Sequence, residues 1–167
     1  MEKPETNWTD WLSFHGPRLL LFARQWAGGH GEAQDIMQEA FMRFWQARER
    51  ARDPAAYMYA CVRNCALESR RSGGRRERRE QAAVRERPAH VEAAFETLPE
   101  KDEFRRSVEA ALERLPEEQR HVLVLKIWGE LTFEQIGEVM EVSPNTAASR
   151  WRYGLTALRQ ELKEWAP

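Results

Sequence analysis

The chain has 167 residues, 42% hydrophobic and 32% charged, with a net charge of −1. That is room for one ordinary domain or two small ones, with real apolar cores under a charged surface. The longest apolar run, Leu19-Leu20-Leu21-Phe22-Ala23, is far too short to cross a bilayer, and the opening "MEKPETNWTDW" lacks the basic start and apolar stretch of a signal peptide.

No window alternates as a strand does, and helical periodicity dominates both ends, so an all-α chain is expected. The first helix should run from Trp8 to Trp26, broken or started near Gly16-Pro17, and "AGGHG" at 27–31 reads as a glycine-rich turn. From Glu32 to Arg48 the apolar residues Ala33, Ile36, Met37, Ala40, Phe41, Phe44 and Trp45 form one wide buried stripe. Asp35, Gln38, Glu39 and Met42 lie on the opposite, outward side. Asp53 and Pro54 then suit the cap and first position of a third helix, ending near Arg71. Cys61 and Cys65, four apart on that helix, read as small core residues of a reduced, cytoplasmic protein.

Ser72-Gly73-Gly74 ends the third helix, and the periodicity is lost until about Asp102, with Pro88 and Pro99 interrupting it. This segment reads as a flexible linker, with a short helix allowed near its basic start; a coil of roughly 30 residues spans about 30 Å. The expected layout is therefore one small helical domain over 1–72, a linker over 73–102, and a second helical domain over 103–167. Charge divides along the same lines. Residues 48–87 carry twelve Lys/Arg against six Asp/Glu, whereas 100–167 carry ten against thirteen. A basic belt mid-chain combined with an acidic C-terminal domain does not describe a uniformly DNA-coating protein.

The second domain begins with a helix over Phe104 to Leu115, and Pro116 opens another through Val122, Leu125 and Trp128 to Gly129. "LTFEQIGEVMEVSPNTAASRW", residues 131–151, then holds two helix starts eleven residues apart. Thr132 and Gln135 form a capping box, with Leu131 and Ile136 placed as a hydrophobic staple. Val142 plugs the turn, Ser143 caps the last helix and Pro144 takes its first position. This is a helix-turn-helix, the arrangement that projects its second helix into a major groove. Ala147, Trp151, Leu155, Leu158 and Leu162 make that helix's inward stripe. Asn145, Thr146, Ser149, Arg150, Arg152 and Tyr153 are the candidates for contacting DNA, since small polar residues and arginine can bond base edges and phosphates.

Catalytic patterns are missing. His15, His30, His90 and His121 are scattered, there is no metal-ligand spacing and no phosphate loop, and acidic pairs such as Glu117-Glu118 sit in a helix first turn, where they complement its dipole. No enzyme activity, cofactor or metal is expected.

"LPEEQRHVLVLKIWGELTFEQIGEVMEVSPNTAASRWRYGLTALRQEL" resembles the C-terminal promoter-reading domain of bacterial sigma factors of the sigma-70 family. "GEAQDIMQEAFMRFWQA" followed by "DPAAYMYACVRNCALESRR" resembles their N-terminal core. Two such domains and a short linker are similar to the extracytoplasmic-function (ECF) group. The resemblance implies a transcription initiation factor that binds core RNA polymerase and recognises the −10 and −35 promoter elements. It implies that Asp35, Gln38, Glu39 and Met42 dock on the coiled coil of the polymerase largest subunit, and that the C-terminal domain meets the flap. It also implies that the third helix reads the melted −10 strand through Arg63 and Asn64, the family's "RN", with Arg70 and Arg71 extending the basic side. An extruded base would enter the loop at about Arg48 to Asp53, and Tyr57 and Tyr59 are candidates to stack on unpaired bases. ECF factors are usually held by an anti-sigma protein, so such a partner is expected too.

Ala148, Tyr153 and Leu155 stand where the family's last helix commonly carries basic residues, and Ala60 replaces another frequently basic position. Each missing phosphate contact lowers the salt slope by roughly one unit. The C-terminal domain should therefore hold DNA weakly unless polymerase tethers both domains. The competing reading is a polymerase-independent helix-turn-helix regulator whose N-terminal domain serves dimerisation or sensing.

Overall fold

The structure, a computed structural model, describes residues 6–73 and 99–165. The expected linker falls largely on residues 74–98, outside the described residues, as does His90. Seven α-helices are present among the described residues: α1 (Trp8–Trp26), α2 (His30–Ala47), α3 (Pro54–Arg71), α4 (Pro99–Glu113), α5 (Glu117–Ile127), α6 (Phe133–Met140) and α7 (Pro144–Glu161). A short 3-10 turn, Lys163–Trp165, follows α7. The described residues contain no strand, and none of their helices is long and apolar enough to cross a membrane.

Helix ends follow local chemistry. The Asn7 side chain caps α1 by accepting from the amides of Thr9 and Asp10, and Asp53 accepts from Ala56 to start α3 behind Pro54. α1 does not break at Gly16-Pro17. It continues through Pro17, with the Arg18 guanidinium bonded to the Phe14 carbonyl on the same turn at 2.7 Å. The missing N–H costs one bond, and burial of Leu19 to Ala23 and Trp26 holds the helix straight through. α2 begins at His30, two residues earlier than the expected start at Glu32, because Gly29 is extended and serves as its N-cap.

α1, α2 and α3 pack together around Phe22, Phe44, Met58, Tyr59 and Val62, all fully buried. Cys61 and Cys65 are buried free thiols in this core; burial raises both, Cys65 to about 11, which keeps them protonated at neutral pH. Between α2 and α3, Arg43 makes a bidentate pair with Glu68 at 2.9 and 2.6 Å, and that guanidinium holds the Glu68 carboxyl below its ordinary value.

α5, α6 and α7 make the C-terminal lobe around Leu123, Leu125, Ile136 and Ala147, with α4 packed on α5 and α7. Thr132 and Gln135 form the capping box in both directions, at 2.7 and 3.2 Å, and Leu131 and Ile136 are buried at the staple positions. Two glycines set how closely these helices approach. A β-carbon on Gly137 would lie 2.7 Å from the Val142 carbonyl in the helix-turn-helix turn. One on Gly154 would come within 3.2 Å of Gln119 and Leu123, so α7 lies directly on α5.

The two lobes share one apolar core that runs from Leu19 through Tyr59 to Val122 and Leu158. α6 packs across α3, and α5 packs against α1.

Candidate nucleic-acid interface

α2 presents Asp35, Gln38, Glu39 and Met42 to solvent on one side, and Met42 is 60% exposed. The stripe behind them is seated in the core through Ala33, Ile36, Ala40 and Phe44. Glu39 is spanned by Arg43 one turn later at 3.0 Å. An acidic and amide face with an exposed methionine is chemically suited to a basic, partly apolar partner helix.

α3 separates its candidates. Asn64 and Arg71 are exposed. Arg63 is not open: its side chain is 14% exposed and pairs with Glu141 of the α6–α7 turn at 3.4 Å. Arg70 donates to the Trp26 carbonyl, pairs with Glu117 of α5, and lies 5.0 Å above the Trp26 ring. Tyr59 corrects the expectation drawn for it. It is fully buried at edge-to-face distance from Phe22, and burial raises its phenol, so it is a core residue and not a stacking platform. Tyr57 is half-buried, 6.1 Å from the Phe44 ring, and burial raises its phenol.

The loop before α3 carries more structure than its sequence suggests. The Arg48 guanidinium lies 3.8 Å over the Trp45 ring, which is itself 39% exposed. At the other end of the loop, Asp53 caps α3 with one oxygen and accepts a bond from Gln135 of α6 with the other.

α7 leaves a second polar surface. Asn145, Thr146, Arg152 and Tyr153 are exposed, Tyr153 at 68%. Asn145, Thr146 and Tyr153, with Ser149 and Arg150, border a shallow cleft of about 360 Å³ against α5. Ser143 accepts from the Thr146 amide at 3.1 Å and donates to its hydroxyl at 2.9 Å, so Thr146 belongs partly to the cap. Arg150 pairs with Glu118 at 3.1 Å, whereas among the described residues Arg152 reaches only the Ser149 hydroxyl, at 3.4 Å. Of the two arginines, Arg152 is thus the more available to a phosphate.

Sequence reasoning did not find the residues that join the lobes: Asp53 with Gln135, Arg63 with Glu141, Arg70 with Glu117, and Trp26 with His121, whose rings stack at 3.9 Å. No short-range signal could have shown them, since Asp53 and Gln135 are 82 positions apart.

Comparison with known proteins agrees with this architecture. Residues 13–76 match the sigma-70 region 2 family and residues 105–158 the sigma-70 region 4 family, together well over half of the chain. The chain is 29% identical over 159 residues to the ECF RNA polymerase sigma factor SigL of Mycobacterium tuberculosis, in its H37Rv and CDC 1551 strains alike, covering 90% of this chain and 85% of that protein. Its fold is similar to that of the sigma factor RpoE from Bartonella quintana, solved with the anti-sigma factor NepR, at a TM-score of 0.69 and 21% identity over 94% of this chain and 97% of that one. With region 2 on the three-helix lobe and region 4 on the helix-turn-helix lobe, the chain belongs to the sigma-70 family of bacterial RNA polymerase sigma factors, in its extracytoplasmic-function group.

Proposed function

We propose that this chain is a dissociable, non-catalytic promoter-specificity subunit that acts in the cytoplasm with core RNA polymerase. The single observation that carries the reading is the presence of region 2 and region 4 in order on one chain, each keeping an exposed polar face. The α2 face of Asp35, Gln38, Glu39 and Met42 docks on the polymerase largest-subunit coiled coil, and the C-terminal lobe meets the flap. Arg63, Asn64 and Arg71 on α3 contact the −10 element and its melted strand, with Tyr57 at the edge of that site. Asn145, Ser149, Arg152 and Tyr153 on α7 read the −35 duplex, with Thr146 and Arg150 beside them. Arg70 joins the basic side of α3 only when it leaves Glu117.

An anti-sigma protein is the expected negative partner. The fold likeness to a sigma factor solved with one supports this reading. A regulator acting without polymerase is disfavoured by the same family assignment. Run-off transcription with sigma-free core polymerase over a random promoter library tests the function. The full chain should direct initiation, and Asp35→Arg should lower both the product and the recovery of a roughly equimolar complex at least about tenfold, through like-charge repulsion against a basic partner. Tight binding of an operator by the free chain, with no initiation, would overturn it.

A further inference from the structure

We propose that the start of α1 and the end of α2 form a second contact for single-stranded DNA, made by two arginine-covered rings, Phe14 with Arg18 and Trp45 with Arg48. The contact deepens the strand-reading assignment given above to α3, and rests on it for which strand is held in the promoter complex.

The two pairs are built alike. Phe14 is 50% exposed and Trp45 39%, on a lobe whose other large rings are buried or half-buried. The Arg18 guanidinium lies 3.9 Å from the Phe14 ring and bonds the Phe14 carbonyl. The Arg48 guanidinium lies 3.8 Å from the Trp45 ring and bonds the Trp45 carbonyl. Each cation is thus held over a ring by the backbone of the same residue. A run of rings joins the pairs: Phe14 to His15, His15 to Trp11, Trp11 to Trp8 and Trp8 to Trp45, each step 6.0 Å or less between centroids. Phe44 stacks on Trp11 at 5.3 Å and lies 6.1 Å from Tyr57, so the run reaches the edge of the α3 site.

Charge selects the occupant. Residues 8–18 and 45–52 hold four arginines, Arg18, Arg48, Arg50 and Arg52, against two acids, Asp10 and Glu49. Arg50 and Arg52 are exposed, and Glu49 lies 3.4 Å from Arg48. The acidic α2 face suits a basic protein partner, which these arginines would repel, and an apolar partner would have to bury two guanidinium groups. A single strand meets both demands. Its bases stack on an exposed ring or on a guanidinium plane, and its phosphate oxygens accept from the guanidinium edges. Duplex offers no free base face, so the surface favours melted DNA, and because every base has a π-face it reads no particular sequence. Both rings are exposed in the free chain, so the contact can be measured without polymerase.

The test is Phe14→Leu with Trp45→Leu in the full chain, which removes both rings, keeps both arginines and leaves the net charge unchanged. Fluorescence anisotropy of a labelled 20-mer of deoxythymidine should show binding about tenfold weaker than that of the unmodified chain. Trp45→Phe, which restores a ring, should stay within about threefold. A 20-base-pair duplex should be held within about twofold of before, and recovery of the core polymerase complex should be level. Phe104→Leu, at another half-exposed ring on α4, should leave the 20-mer affinity as it was. Should the double variant not fold, Phe14→Leu alone should weaken the 20-mer about threefold. An unchanged 20-mer affinity, or an equal loss for duplex, would overturn the inference. So would lost polymerase recovery with 20-mer affinity intact, which would make this face a protein-docking surface. Absence of run-off product from the unmodified chain, with the 20-mer results as expected, would overturn the promoter reading and leave the contact standing.

Discussion

His121 lies 2% exposed where the lobes meet, stacked on Trp26 and edge-on to Phe22. Burial, with Arg120 and Arg70 alongside, lowers it to about 3, and the opposing pull of Glu117 and of the Gln25 backbone does not restore it. The folded chain therefore keeps a neutral imidazole, whereas the unfolded chain takes up a proton below about pH 6.5. A depressed base of this kind stabilises the fold above that pH and does so less as pH falls, by up to about 1.4 kcal/mol per unit between 6.5 and 3. Urea denaturation should show the midpoint dropping from pH 7 to pH 5, ahead of most carboxylate titration. His121→Phe, which keeps an aromatic ring against Trp26, should remove most of that slope; what remains belongs to His15, also lowered by burial. An unchanged slope in the variant would place the proton uptake elsewhere.

Within the helix-turn-helix, two short helices are fixed by their ends and by one close approach. Thr132, Gln135 and Ser143 were recognisable from spacing because caps are local, a matter of which side chain can reach an amide two or three residues on. The requirement at Gly137 was not, since it comes from the Val142 carbonyl folding back to 2.7 Å from where a β-carbon would sit. Gly137→Ala must push backbone against backbone, and should cost about 1–3 kcal/mol in a thermal or urea melt. Duplex binding should fall with it, because the same turn aims α7. An alanine variant as stable as the parent would show that the turn can widen. α1 shows the same division between local and non-local causes: Pro17 suggested a break, but the burial of Leu19 to Trp26 against α2 and α3 outweighs one missing bond.

For the whole molecule, electrostatics fix how the chain should use DNA. In the C-terminal lobe Arg150 is tied to Glu118, and Ala148 and Leu155 contribute no charge, so on the proposed reading few cations of α7, Arg152 foremost, are offered to phosphates. Duplex binding by the free chain should then have a shallow salt dependence. A plot of log Kobs against log salt should have a slope no steeper than about −3, steepening in the polymerase complex as both lobes reach DNA. A steep slope for the free chain would mean that the lobe holds more phosphates than its surface offers. The basic belt was legible from composition, yet its availability was not, because Arg63 and Arg70 are neutralised by acids 78 and 47 positions away.

By itself the sequence determined the helices, their caps, the helix-turn-helix and the two surfaces on α2 and α7. Each of these depends on periodicities and bonds within a few residues, which neighbouring side chains suffice to set. Only the tertiary structure decided that Tyr59 is core, that Pro17 leaves α1 whole, and that Glu141 and Gln135 close over α3. Those outcomes depend on which apolar faces find each other across the chain, and on charges brought together only once the shared core has formed.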